Sequence, residues 1–143
     1  MTIPYLAQML VAASAAIIFL LGAVHLAFTF SGARLHPRDP ELLARMSASP
    51  PVISRQTSMW KAWIGFNASH SLGAMLFGAV FAYLALAQPA LLFGTYFLGL
   101  TGLLTLASYL ALARGYWFNR PLQGIALALL LYVAAFALAL LQK

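Results

Sequence analysis

Four long apolar runs constrain this chain more than anything else in it. They cover about 3–30, 60–87, 91–113 and 121–141, and none contains an acidic residue. A helix that crosses a bilayer needs about 20 mostly apolar residues, so each run is long enough to do so. The first two are longer than the minimum, which leaves room for tilt or for extension past the hydrocarbon. Composition agrees: 64% of the 143 residues are hydrophobic and 7% are charged, against roughly 25% charged in a soluble domain. Too few charges exist to clothe a water-facing surface. The predicted fold class is all-α, a polytopic membrane protein built as a four-transmembrane-helix bundle. It is expected to be a single membrane domain over 1–143, with a polar loop at 31–59.

The start of the chain, "MTIPYLAQML", has no Lys or Arg. It therefore lacks the basic segment of a secretory signal, and its apolar run exceeds a signal's usual 7–15 residues. It reads as a retained first span. Cysteine is absent, which removes disulfides, thiolate metal sites and thiol nucleophiles.

The links between runs differ. Gln88-Pro89 makes a tight hairpin, because proline stops the preceding helix. In "RGYWFNRP", Asn119 suits an N-cap and Pro121 a first-turn position. Within the long loop, "DPELLARM" (39–46) suggests a short helix capped by Asp39, with Pro40 in its first turn and Glu41 complementing the dipole. A surface-lying helix and a disordered loop both fit this segment. In the former, Leu42, Leu43 and Met46 face lipid or the bundle.

The net charge of +6 resides in Arg34, Arg38, Arg45, Arg55, Lys61, Arg114, Arg120 and Lys143. Seven of these fall in or beside the loops 31–59 and 114–120, and only Lys143 falls on the opposite side. The bias of basic residues toward the cytoplasm places those loops inside and both termini outside, in the periplasm. Trp60, Trp63, Tyr116 and Trp117 then form an aromatic belt at the cytoplasmic interface. Basic residues dispersed between apolar runs fit orientation and contact with anionic membrane lipids. They do not fit nucleic-acid binding.

The stretch "WKAWIGFNASHSLG" (60–73) is unusually polar for a span. At about 100° per residue, Trp63, Asn67 and His70 share one side of a helix with Ala74, and Ser71 is close by. Gly65, Ser69 and Gly73 form a separate stripe of small residues, of the kind that lets another helix approach. At a rise of about 1.5 Å per residue, Asn67 lies roughly 10 Å and His70 roughly 15 Å from the Trp60 edge; His25 lies roughly 8 Å from Phe30. Thr101, Thr105 and Ser108 form a hydroxyl stripe on the third run. The expected ligand-binding set is therefore His25, Asn67, His70, Ser71, Thr105 and Trp63, turned inward. An unpartnered ring N–H facing hydrocarbon would cost several kcal/mol, and ionisable groups within spans point to function. The competing reading is that the cluster fixes helix register alone.

The available chemistry is narrow. A structural zinc site wants four ligands, whereas the spans hold two histidines and no carboxylate or thiolate, so no metal ligand is assigned. Two axial histidines can hold haem in a bundle, but the depth offset of roughly 6–7 Å between His25 and His70 strains that arrangement. Proton-coupled export is disfavoured, because the only acids, Asp39 and Glu41, lie in the loop, and histidine is a weaker candidate for the relay. No acid is placed to orient a histidine beside a serine nucleophile. No catalytic residue is assigned, no cofactor is specified, and the residues favour a binding role over catalysis.

The segments "GAVHLAFTF", "LHPRDPELLARM" and "WKAWIGFNASHSLG" together resemble a family of small four-helix bacterial integral membrane proteins of uncharacterised function. The likeness covers most of the chain and is most specific in the last segment. It implies a four-helix architecture in the bacterial inner membrane and brings no reaction, cofactor or substrate. DoxX-like and sterol-isomerase-like membrane folds are similar in size and layout, but their acidic site residues have no counterparts within these spans. The expected function is binding of a lipophilic small molecule (lipid, quinone or sterol-like), or an accessory role in a homo-oligomer or larger membrane complex. The alternative is a histidine-dependent membrane enzyme, or a haem or metal redox protein using His25 and His70.

Overall fold

The computed structural model describes residues 4–141. Ile3, where the first predicted run begins, and Lys143 of the charge count lie outside them. The described chain is all-α, with no strand. Its helices are α1 (Tyr5–Phe30), α2 (Pro40–Ala48), α3 (Met59–Ala87), α4 (Pro89–Gly94), α5 (Tyr96–Tyr116) and α6 (Asn119–Leu141). Four of them, α1, α3, α5 and α6, are long and apolar enough to cross a membrane. Only 17% to 33% of each one's most apolar window is buried. Large side chains such as Leu20, Leu76, Leu104 and Leu130 therefore stand exposed. Hydrocarbon, not water, is the solvent that accepts such a surface.

By contacts the chain divides into two compact units: Met1–Leu21 with Ala74–Lys143, and Gly22–Gly73. The first holds parts of α1 and α3 with all of α4, α5 and α6, packed around one apolar core. Ala7, Val11, Ala15 and Ile18 line one face of α1, and Ile125, Ala128, Tyr132, Ala135 and Ala139 one face of α6. The prevalence of alanine lets these backbones come close, as membrane helix packing requires. At Gly78 an added Cβ would lie 2.6 Å from the Ala15 carbonyl and 2.7 Å from Phe19 Cβ. At Gly102 it would run into the Tyr132 ring and Phe81. An aromatic series joins Phe77, Phe81, Tyr132, Phe136 and Phe93, with successive ring centroids 4.5 to 5.9 Å apart. Two hydrogen bonds pin the core. Ser14 Oγ–H donates to the Ala128 carbonyl at 2.7 Å, and the Tyr132 hydroxyl to the Gly99 carbonyl at 3.1 Å.

The second unit, residues 22–73, comprises the end of α1, the loop with α2, and the start of α3. Gly32, at φ +77°, turns the chain out of α1 through a conformation that glycine adopts readily. Asp39 caps α2, its carboxylate accepting the Glu41 backbone N–H at 2.9 Å, and Pro40 occupies the first turn. The segment that sequence left open between a helix and a disordered loop is thus a nine-residue helix.

The third run differs from expectation. A separate short helix, α4, occupies its first residues, and α5 starts at Tyr96 rather than 91. Thr95 is extended, at φ −112° and ψ 109°, which ends α4. Leu92 and Phe93 of α4 are buried in the core, so part of the apolar run fills the interior instead of lengthening a span. α6 begins at Asn119 itself, with Pro121 in its first turn. The stripe Gly65, Ser69 and Gly73 is open within this chain: a Cβ at Gly65 would meet nothing, and Ser69 and Gly73 are exposed. Close approach occurs at Gly78, Gly99 and Gly102 instead.

Candidate functional site

The start of α3 carries Trp63, Asn67 and Ser71 at four-residue spacing, so they stack on one face. The side chains of Asn67 and Ser71 close onto their own helix. The Asn67 side-chain N–H donates to the Trp63 carbonyl at 2.8 Å, and Ser71 Oγ–H donates to the Asn67 carbonyl at 2.8 Å. Such back-bonding lets a polar side chain sit in an apolar helix without orphaned donors. The same device serves α1, where Thr29 Oγ–H donates to the His25 carbonyl at 2.8 Å. Ser71 and Thr29 are buried.

Asn67 is the hub. Its NH₂ is held by the Trp63 carbonyl, so its oxygen is the atom turned toward α1. There it lies 2.9 Å from His25 Nε2. An amide oxygen can only accept, which makes His25 Nε2–H the donor. A neutral His25 is thereby held in the Nε2–H tautomer, with Nδ1 as its acceptor atom. The His70 ring packs edge-on against His25, with centroids 5.7 Å apart and planes at 84°. The depth offset expected from helix rise does not separate the two imidazoles. His25, Asn67 and His70 are all half-buried.

Trp63 extends the group toward the loop. Its indole N–H donates to the Leu35 carbonyl at 3.1 Å. Beside it lies a cleft of about 280 Å³ lined by Leu35, His36, Pro37, Met46 and Trp63. His36 meets Trp60 edge-on at 4.9 Å, and Arg34 sits over the Phe28 ring at 4.1 Å. Sequence reading singled out Trp63 but missed the cleft. Leu35, His36, Pro37 and Met46 of its lining all fall in "LHPRDPELLARM", and Met46 is carried by the helix that Asp39 caps.

Of the six expected binding residues, His25, Asn67, His70, Ser71 and Trp63 belong to residues 22–73. The first three form a contiguous polar group, and Ser71 and Trp63 support it through Asn67. Thr105 is half-buried on α5, in the other unit.

The group offers hydrogen-bond donors and acceptors at the heart of apolar segments. The carboxylates lie elsewhere: Asp39 caps α2 and faces Arg45 at 3.7 Å, and Glu41 is exposed on α2. No cluster of three or more His, Cys, Asp or Glu occurs among the described residues. Comparison with protein-family models, curated proteins and solved structures found no match.

Proposed function

We propose that this chain is a membrane-embedded binder of a lipophilic small molecule with a hydrogen-bonding head group. The head group engages His25, Asn67 and His70, and Trp63 supplies an amphipathic wall beside them. The observation that carries this reading is the His25 Nε2–H to Asn67 hydrogen bond with His70 edge-on to it. Such a group in hydrocarbon satisfies itself when empty and can exchange one internal bond for a ligand's hydroxyl or carbonyl. Quinones, sterols and lipid head groups share that chemistry. On the same reading the protein resides in the bacterial inner membrane with both termini periplasmic, supported by the basic residues at 34–61 and 114–120.

The test is native mass spectrometry of the purified protein. A stoichiometric lipophilic adduct is expected on the natural protein and should be lost from His25→Ala and Asn67→Leu. If both variants keep the adduct, or if they lower thermal stability with no adduct on either form, the group fixes helix register and the reading fails.

One observation favours a second reading. Two imidazoles with ring centroids 5.7 Å apart are near enough to share a redox centre, although Nε2 of His25 is committed to Asn67. A Soret band, or stoichiometric metal in the purified protein, would select that reading over the binder.

A further inference from the structure

Between α2 and α3 the chain makes a closed excursion. The Met59 backbone N–H donates to the Ser49 carbonyl at 2.8 Å, so residues 49–59 leave and return to one place. Pro50 and Pro51 open the loop with fixed φ. A turn follows, with Ser54 N–H donating to the Pro51 carbonyl at 3.2 Å and Gln56 N–H to Ser54 Oγ at 3.1 Å. The two side chains carried at the tip are Val52 and Ile53, 109% and 93% exposed. They belong to none of the four candidate spans, so exposure along the spans does not account for them. The cleft of this unit draws none of its lining from residues 49–59. The tip therefore presents a wedge, not a groove for a peptide.

Charge and tethering say what the wedge meets. Residues 31–61 carry Arg34, Arg38, Arg45, Arg55 and Lys61, all exposed. The opposing acids are Asp39 and Glu41, and Asp39 already faces Arg45. The segment hangs between the ends of two candidate spans, at Phe30 and Met59, so it lies at a membrane face. A projecting aliphatic pair within a basic, membrane-tethered segment matches an anionic bilayer surface. The aliphatic groups enter the acyl boundary while the cations meet phosphates.

We propose that Val52 and Ile53 form a wedge that inserts into the bilayer the helices cross, with Arg55 and Lys61 holding anionic phospholipid head groups beside it. The chain has no cysteine, so Val52→Cys and Glu41→Cys each give the full chain a single labelling point at an exposed position. Each is coupled to a polarity-sensitive fluorophore and reconstituted into nanodiscs, which leave both faces open, with and without phosphatidylglycerol. A lipid-borne nitroxide is expected to quench the label at 52 about twofold more than the label at 41. The difference should grow with phosphatidylglycerol and shrink when Arg55→Glu is added. A label at 52 that aqueous iodide reaches as readily as the label at 41 overturns the wedge. So does a label at 52 shielded from both quenchers, which would mean that protein covers it. Indifference to phosphatidylglycerol overturns the head-group contact.

Discussion

Every buried hydrophobic side chain among the described residues belongs to Met1–Leu21 or Ala74–Lys143, whereas Gly22–Gly73 buries only Gly22, Thr29 and Ser71. In the first unit, alanines and glycines bring helices into contact, aromatic rings fill the space between, and two hydrogen bonds mark the register. In the second, hydrogen bonds and edge-on rings join the segments: His25 to Asn67 and His70, Trp63 to Leu35, and His36 to Trp60. The difference matters for function. A packed apolar core has nothing to exchange with a ligand, whereas a hydrogen bond between side chains can be traded for another of similar strength. The candidate site therefore belongs to the unit with the thinner core.

The largest expected effect tests the packed unit. Gly78→Val drives a side chain into the Ala15 carbonyl and Phe19 and should cost about 3 kcal/mol, read as thermal unfolding in detergent. Gly65→Val, with open space around it, should change stability by less than about 0.5 kcal/mol. Equal effects at the two glycines would break the contrast between the units. Next comes the polar unit. Asn67→Leu strips His25 Nε2–H of its acceptor and should cost about 1–2 kcal/mol while abolishing ligand retention in native mass spectrometry. A large stability loss with retention intact would move the site elsewhere. Tyr132→Phe removes the hydroxyl bond to Gly99 but keeps the ring, and should cost about 1 kcal/mol. Smallest is Thr29→Val, which removes a bond within one helix. It should cost about 0.5 kcal/mol or less and leave ligand retention unchanged; loss of retention would draw Thr29 into the site.

Much of the fold was legible because hydrophobic length is a property of sequence alone. The first, second and fourth runs each became one helix and the third became most of another, and Asp39-Pro40 announced α2 through capping chemistry that needs only neighbours in the chain. The side shared by Trp63, Asn67 and His70, with Ser71 close by, follows from helical geometry. The separation of Leu92 and Phe93 into α4 was not legible, because an apolar residue reads alike whether it faces lipid or plugs a core. Gly65, Ser69 and Gly73 looked like a packing stripe and stay exposed within this chain, since small residues permit close approach without causing it.

The order of apolar and polar residues by itself determined four helices able to span a bilayer, the cap that starts α2, and which polar residues lie within the long helices. Those are consequences of helix rise, hydrocarbon thickness and backbone hydrogen bonding. Tertiary structure alone decided that Asn67 turns its oxygen to His25, that His70 packs edge-on beside them, and that Gly78 and Gly102 receive neighbours while Gly65 does not. Pairing between distant residues depends on rotation and register between helices, which are set by the sum of all packing contacts and not by any local stretch.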